Sequence, residues 1–504
     1  MKHNNHLHQL IKSLNKSEKR HYKIVANLYS TKNEHSQLVQ LFDAINAQEE
    51  EYNEDKILRK FKDELFAQHL PSLKAKLEEQ ILESLESTTP ANISIEMQIR
   101  RWLNQCEIFL TKGLIQQAQI RLQKAKQKAE KYEHIKLLLH TLAIELRITA
   151  SNEFEKQREL AQRIQSLSLL LSSFIDYFLD AQEVAKCVHQ WGQGAEYKAL
   201  LATLIPLERY QNPPVQMLFH TQRYIINLHI NYNISIQNIA VAAKYSEQLI
   251  TLWDEYKWFK KLNPSSYIGN CISYANLLST HLANFEESNR YLSCAEELLN
   301  QQNSKLDWYE RRQYNIWGQQ QSNYFYLQKW QNFNDLLAKF TAYRGQESEP
   351  FKSLFLSFCF DSTLQLYALN RHNEAVDWLQ YIINQREKGI LLRANVIESS
   401  YVLLFIIYFE QKQFELLEHT FQAAYRFFYK NGHVQHIEGL ILSFMRKIIK
   451  EFYYIKLNNY YQELWEKTEL FDDTQDSYVF FKIWLKSKIN KQSFLSLYLA
   501  IKQR

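Results

Sequence analysis

Between Arg101 and Tyr132 the apolar positions fall at helical spacing on two consecutive segments. Trp102 and Phe109 lie seven apart on the first, and Lys112-Gly113 breaks it. Ile115, Ala118, Leu122 and Ala125 mark the inner face of the second. Aligned on that second helix, later segments carry the same pattern. They are Phe285, Ser288, Leu292 and Ala295; Phe333, Leu336 and Phe340; His372, Ala375, Leu379 and Ile382. A further copy has Tyr401 and Tyr408 on its first helix and Phe414, Leu417, Phe421 and Ala424 on its second. Tyr197, Leu200 and Leu204 give a weaker one. From Phe285 the equivalent positions advance by 48, 39 and 42 residues.

Residues 1–90 read differently, as short helices with polar joints. The pattern predicts helices over Leu7–Leu14, Ser17–Tyr29, Gln37–Ala47, Glu54–Phe66 and Ser72–Leu85. Asn15 followed by Glu18 reads as a capping box, and Ser72 after Pro71 as an N-cap. The run Thr88-Thr89-Pro90-Ala91-Asn92 is the expected linker. The chain therefore divides into a small helical domain over 1–90 and a helical array over 91–504, ending in a basic C-terminal capping helix.

Composition narrows the choice further. With 9 Gly and 7 Pro in 504 residues, the chain falls far below the usual combined share of about 12%. So few turn formers support neither many β-hairpins nor glycine-rich phosphate loops. An apolar fraction of 46% supplies a large core and excludes global disorder. Its apolar runs are short: Tyr401 to Phe409 stops at Glu410, against about 18–20 residues for a membrane helix. The first residues, Met1-Lys2-His3-Asn4-Asn5-His6, lack the apolar core of a signal peptide. Five scattered cysteines, 106, 187, 271, 294 and 359, read as reduced thiols. A cytoplasmic location without membrane attachment is the expectation.

The Trp102, Phe109, Gly113 and Ala118 spacing resembles a tetratricopeptide unit: early aromatic, second aromatic two turns later, turn glycine and small residue on the second helix. The resemblance extends loosely over residues 95–430, with hairpins longer than the family's 34 residues. It implies an all-α fold, a curved α-solenoid of tetratricopeptide-like hairpins, with a concave groove made by the first (A) helix of each hairpin. Separately, Ser13 to Lys23 resembles the opening of an uncharacterised group of bacterial helical proteins, which implies a bacterial cytosolic origin. Carried onto the later hairpins, the family's geometry places Phe325, Phe360, Leu364, Tyr367, Val402, Ile406 and Phe409 on or near the groove. An apolar groove of that size needs a cover. An apolar helix of a partner would serve. So would the chain's own end, through a stripe of Tyr478, Phe481, Leu485 and Ile489; neighbouring A helices are the third candidate.

Candidate chemistry is sparse. Gly192-Gln193-Gly194 lacks the third glycine and the strand that a dinucleotide site requires. His3, His6 and His8 read as a frayed terminus, and His433 with His436 falls short of a metal ligand set. Neither catalytic residues, a metal nor a cofactor is expected. Arg121, Lys124, Lys128 and Lys131 recur along one helix face, either as a surface for an anionic partner or as a solvated face. Residues 1–90 hold 13 basic and 14 acidic side chains, and Glu78, Glu79, Glu83 and Glu86 crowd the segment that would have to read DNA. Nucleic acid is therefore not the favoured partner. The expectation is a non-enzymatic cytoplasmic scaffold that binds a protein or peptide along its groove. The alternative is a transcriptional regulator with an N-terminal DNA-binding domain and a peptide-sensing repeat domain.

Overall fold

A computed structural model of the chain describes residues 6–29, 32–48, 52–61, 69–88, 95–191, 218–304, 306–387, 394–430, 437–451, 457–468 and 479–501. Among these residues every regular element is helical and no strand occurs. Contacts divide the chain into two units, Met1–Ser172 and Ser173–Arg504. The boundary between these units falls inside a long helix, Phe154–Trp191.

The first unit contains two cores. Helices α1 (His6–Ser13), α2 (Lys16–Tyr29), α3 (Lys32–Asn46), α4 (Glu54–Lys60) and α5 (Leu70–Thr88) surround Ile11, Tyr22, Phe42, Ile45, Leu77 and Ile81. The capping box forms at the start of α2. The Asn15 amide donates to Glu18 Oε2 at 2.8 Å, and Glu18 N–H donates back to Asn15 Oδ1 at 3.0 Å. Ser72 is not an N-cap, because α5 begins at Leu70 and takes Pro71 into its first turn, where a missing N–H costs nothing. The second core lies among α6 (Ile95–Thr111), α7 (Ile115–Lys131), α8 (Ile135–Ile148) and α9 (Phe154–Trp191). Ala118, Ala125 and Ala129 are fully buried there, since only a methyl group fits where α7 crosses α6.

Gly113 closes the α6–α7 turn in the left-handed region, at φ 73°. Its N–H reaches Leu110 O at 3.0 Å and the Leu114 N–H reaches Phe109 O at 2.9 Å, the Schellman pairing that satisfies a helix end. Other turns make the same pairing without glycine. Glu133, Gln237, Gln328, Asn370 and Lys412 adopt φ between 51° and 62°, each followed by the same long N–H to C=O bond. A chain poor in glycine thus still turns sharply, with polar side chains accepting a conformation that costs about 1–2 kcal/mol in an L-residue.

The second unit stacks helices in consecutive pairs. They are α10 (Phe219–Ser235) with α11 (Ile239–Glu255), then the short α12 (Lys257–Leu262), α13 (Pro264–Thr280) with α14 (Phe285–Asn300), and α15 (Tyr309–Tyr326) with α16 (Trp330–Tyr343). After these come α17 (Glu349–Ala368) with α18 (His372–Glu387), α19 (Ala394–Glu410) with α20 (Phe414–Lys430), α21 (Ile437–Glu451), α22 (Leu457–Thr468), α23 (Val479–Asn490) and α24 (Phe494–Ile501). The left-handed residues Gln237, Ala283, Gln328, Asn370 and Lys412 advance by 46, 45, 42 and 42, which sets the repeat register. Each of the last four stands two residues before its second helix begins, at Phe285, Trp330, His372 and Phe414. Trp330, not Phe333, is therefore the counterpart of Phe285. The two rings are one helical turn apart and share a face, so sequence spacing alone slips by three.

First helices of successive pairs touch one another, α13 against α15, α15 against α17 and α17 against α19. Such helices meet neighbours on several sides and need apolar surface all round. α19 is the extreme case, with every residue from Val396 to Phe409 buried. Its apolar run reflects this core position, and no helix among the described residues is long and apolar enough to cross a membrane.

Candidate functional site

All seven candidate groove residues, Phe325, Phe360, Leu364, Tyr367, Val402, Ile406 and Phe409, are buried. The second helix of the same hairpin and the helix that follows the last hairpin supply part of the cover: Trp330 and Phe333 lie against Phe325, and Phe444 lies against Phe409. The C-terminal helices supply another part. Phe325, Tyr367 and Phe409 are equivalent positions, each three residues before a left-handed turn residue. They meet Tyr498 at 5.8 Å, Phe494 at 4.8 Å and Trp484 at 6.3 Å respectively. As the repeats advance along the chain the tail partners run backwards, so α23 and α24 return antiparallel over the A-helix face. Of the stripe read from sequence, Phe481 and Leu485 are buried and Ile489 packs against the same core; Tyr478 lies outside the described residues. Phe480, Trp484, Phe494 and Tyr498 do the covering alongside them.

A polar knot fixes this tail. Glu410 Oε1 accepts from the Tyr367 hydroxyl at 3.0 Å and from Trp484 Nε1 at 2.8 Å, and pairs with Lys488. Burial first, then the Glu410 carboxylate, raises the Tyr367 phenol well above its ordinary pKa, so it stays a donor at any physiological pH.

Nearer the start of the second unit the same helix face is polar. A cavity of about 500 Å³ is bounded by α10, α11, α13 and α15. Arg311 and Arg312 line it together with Asn227, Asn231, Asn315 and Gln319, and among the described residues no carboxylate lines it. Arg312 lies directly over Gly269, where a Cβ would come within 2.6 Å of the guanidinium. Burial, and then the like charge of Arg311, push the Arg312 pKa below its usual value. The amide nitrogens of Asn227 and Asn315 donate to the main-chain oxygens of Arg223 and Arg311, at 2.8 and 2.7 Å. Their carbonyl oxygens remain as acceptors, and Gln319 Oε1 is buried with no donor. Sequence reading missed this group. Its signal was a polar row at helical spacing on helices whose other faces are apolar, Arg312, Asn315 and Gln319 on α15 and Asn227 with Asn231 on α10.

The basic row of the first unit is not uniformly free. The Lys128 ammonium sits 5.6 Å from the Trp102 ring centre and donates to Gln98 Oε1, and Lys131 lies 5.6 Å from the Tyr132 ring. Arg121 is half-buried, while Lys124 is exposed and lines a shallow cavity of about 670 Å³ with Glu145 and Lys156. His8 is buried with Nε2 3.0 Å from the Gln48 carbonyl, so it belongs to a core and not to a frayed end. His3, His433, His436, the Gly192–Gly194 pair, Tyr197, Leu200, Leu204 and residues 89–92 of the expected linker lie outside the described residues. Cys106, Cys271 and Cys359 are buried free thiols and Cys294 is an exposed one.

Compared with protein-family models, with curated proteins and with solved structures, the chain matches none.

Proposed function

We propose that this chain is a non-enzymatic, cytoplasmic scaffold whose helical hairpins form a tetratricopeptide-like solenoid that binds a protein or peptide along its first helices. The observation that supports the reading is the division of that face in the second unit. Its later part is sealed by the chain's own aromatic tail, while its earlier part is a polar cavity with two uncompensated arginines. A face of this kind, repeated along stacked hairpins, suits an extended or helical segment better than a small reactant.

A photo-crosslinking amino acid at Ser273 or Asn276, both exposed and lining the cavity, tests the reading in cells, with Glu297 on α14 as an exposed control. Crosslinks to one protein or peptide from the cavity positions and not from the control are the expected result. Crosslinks to DNA through α1–α5, or none from the cavity, would replace this reading with the regulator or leave the scaffold without its site.

A further inference from the structure

The cavity between α10, α13 and α15 asks for a particular ligand chemistry. Neither Arg311 nor Arg312 forms an ion pair among the described residues, and nothing acidic lines the space around them. The Arg312 guanidinium is partly withdrawn from water over Gly269 with a like charge on the adjacent Arg311, a cost that a bound anion would offset. Arginine's planar fork fits a carboxylate or a phosphate equally well. The acceptors beside it separate the two. Asn227 and Asn315 present carbonyl oxygens because their amide nitrogens are already held, and Gln319 Oε1 lacks a donor. A phosphomonoester dianion carries acceptors alone and would face these oxygens unfavourably, whereas a peptide brings N–H groups next to its carboxylate. A nucleic acid fits less well again, since among the described residues no Phe, Tyr or Trp lines the cavity to stack a base. At about 500 Å³ the space is of the size that takes a small ligand or a few peptide residues.

We propose that this cavity binds the acidic portion of an extended peptide, its carboxylate on Arg311 and Arg312 and its N–H groups on the carbonyl oxygens of Asn227 and Asn315. The inference rests on the scaffold reading and adds the chemistry of the segment recognised.

Selection of random heptapeptides on the full chain should enrich Asp and Glu. A selected peptide, labelled and followed by fluorescence anisotropy, should lose tenfold or more in affinity when its acids become Asn and Gln. Arg311→Gln and Arg312→Gln should weaken it similarly, with exposed Arg158→Gln in the first unit as an unaffected control. Gly269→Ala displaces the Arg312 guanidinium without removing its charge, and should weaken binding too. Melting curves for each variant separate lost recognition from lost folding, and exposed Arg311 gives a variant that leaves the core untouched. No acidic enrichment, equal binding of the amide peptide, or competition by millimolar inorganic phosphate or a single-stranded oligonucleotide would overturn the proposal. If the arginine variants still crosslink the cellular partner with unchanged yield, the scaffold reading survives and this assignment of its chemistry fails.

Discussion

The ring of Phe494, near the chain's end, meets the ring of Tyr367 edge-on at 4.8 Å. Edge-to-face contact at this separation is among the favourable arrangements of two aromatics. It recurs one repeat earlier, at Tyr498 against Phe325, and one repeat later, at Trp484 against Phe409. The tail thus treats the array as a periodic surface.

Removing residues 479–504 should therefore uncover Phe325, Tyr367 and Phe409 together. The truncated chain is expected to bind an apolar dye, to aggregate, and to melt at a lower temperature than the full chain. A truncation that stays monodisperse and dye-negative would mean that neighbouring repeats suffice to bury these rings. The single change Trp484→Ala removes one fully buried indole and should cost about 3–5 kcal/mol.

Glu410 is the polar counterpart of those rings. Glu410→Ala leaves the Tyr367 hydroxyl, the Trp484 N–H and Lys488 without their shared acceptor. At about 1–3 kcal/mol for each donor left unpaired, partly relieved by water, the expected loss is about 2–4 kcal/mol in a denaturant titration. Glu410→Gln keeps an acceptor oxygen and should lose less. Equal losses for the two would show that charge, through Lys488, dominates the knot.

The turn residues offer stabilising substitutions. Gln328 and Lys412 are exposed and sit at φ 54° and 57°. Gln328→Gly and Lys412→Gly should each gain about 0.5–1 kcal/mol, the relief of a left-handed backbone less the entropy glycine adds to the unfolded chain. The converse change, Gly113→Ala, meets no atom within 4 Å, so its cost of about 1 kcal/mol is purely conformational. Ala118→Leu, by contrast, must overpack a closed junction and should cost about 1–3 kcal/mol. A glycine variant that melts below the parent would contradict this account of the turns.

These same residues show what the sequence could and could not convey. The Asn15–Glu18 box and the Gly113–Ala118–Ala125 hairpin were legible because each obeys a rule spanning a few residues. Repeat boundaries were less so, because Glu133, Gln237, Gln328 and Lys412 hold a conformation that their side chains do not advertise. Coverage of the A-helix face was legible as a need with three candidate covers, the tail among them, but not as the ring pairs that supply it, since Tyr498 and Phe325 are far apart in the chain. The arginine cavity was missed for a related reason: its polar groups come from several helices, and each row alone resembles a solvated face.

The basic row on α7 should divide on charge reversal. Lys128→Glu breaks a packed contact with Trp102 and Gln98 and should cost about 1–2 kcal/mol. Lys124→Glu, at an exposed position, should stay within about 0.5 kcal/mol of the parent. If the row receives an anionic partner, Lys124→Glu with Lys131→Glu will weaken that complex and flatten its salt dependence. Binding indifferent to both would mark the row as a solvated face.

Alkaline pH probes the core from another direction. Burial raises the phenols of Tyr314, Tyr367 and Tyr461 well above the ordinary value, and pushes Tyr274 up to about 12. In the unfolded chain each titrates near 10. Below that pH both states hold the proton, so the contribution to stability is intact. Between about 10 and the native pKa the unfolded state has lost a proton that the folded state keeps, and stability falls by about 1.4 kcal/mol per pH unit for each such residue. Tyrosinate absorbance should accordingly rise in two steps, an early reversible one from surface rings and a later cooperative one that coincides with loss of helical circular dichroism. If all 31 tyrosines titrated together near pH 10 with the helices intact, the phenols lining this core would have to be open to water.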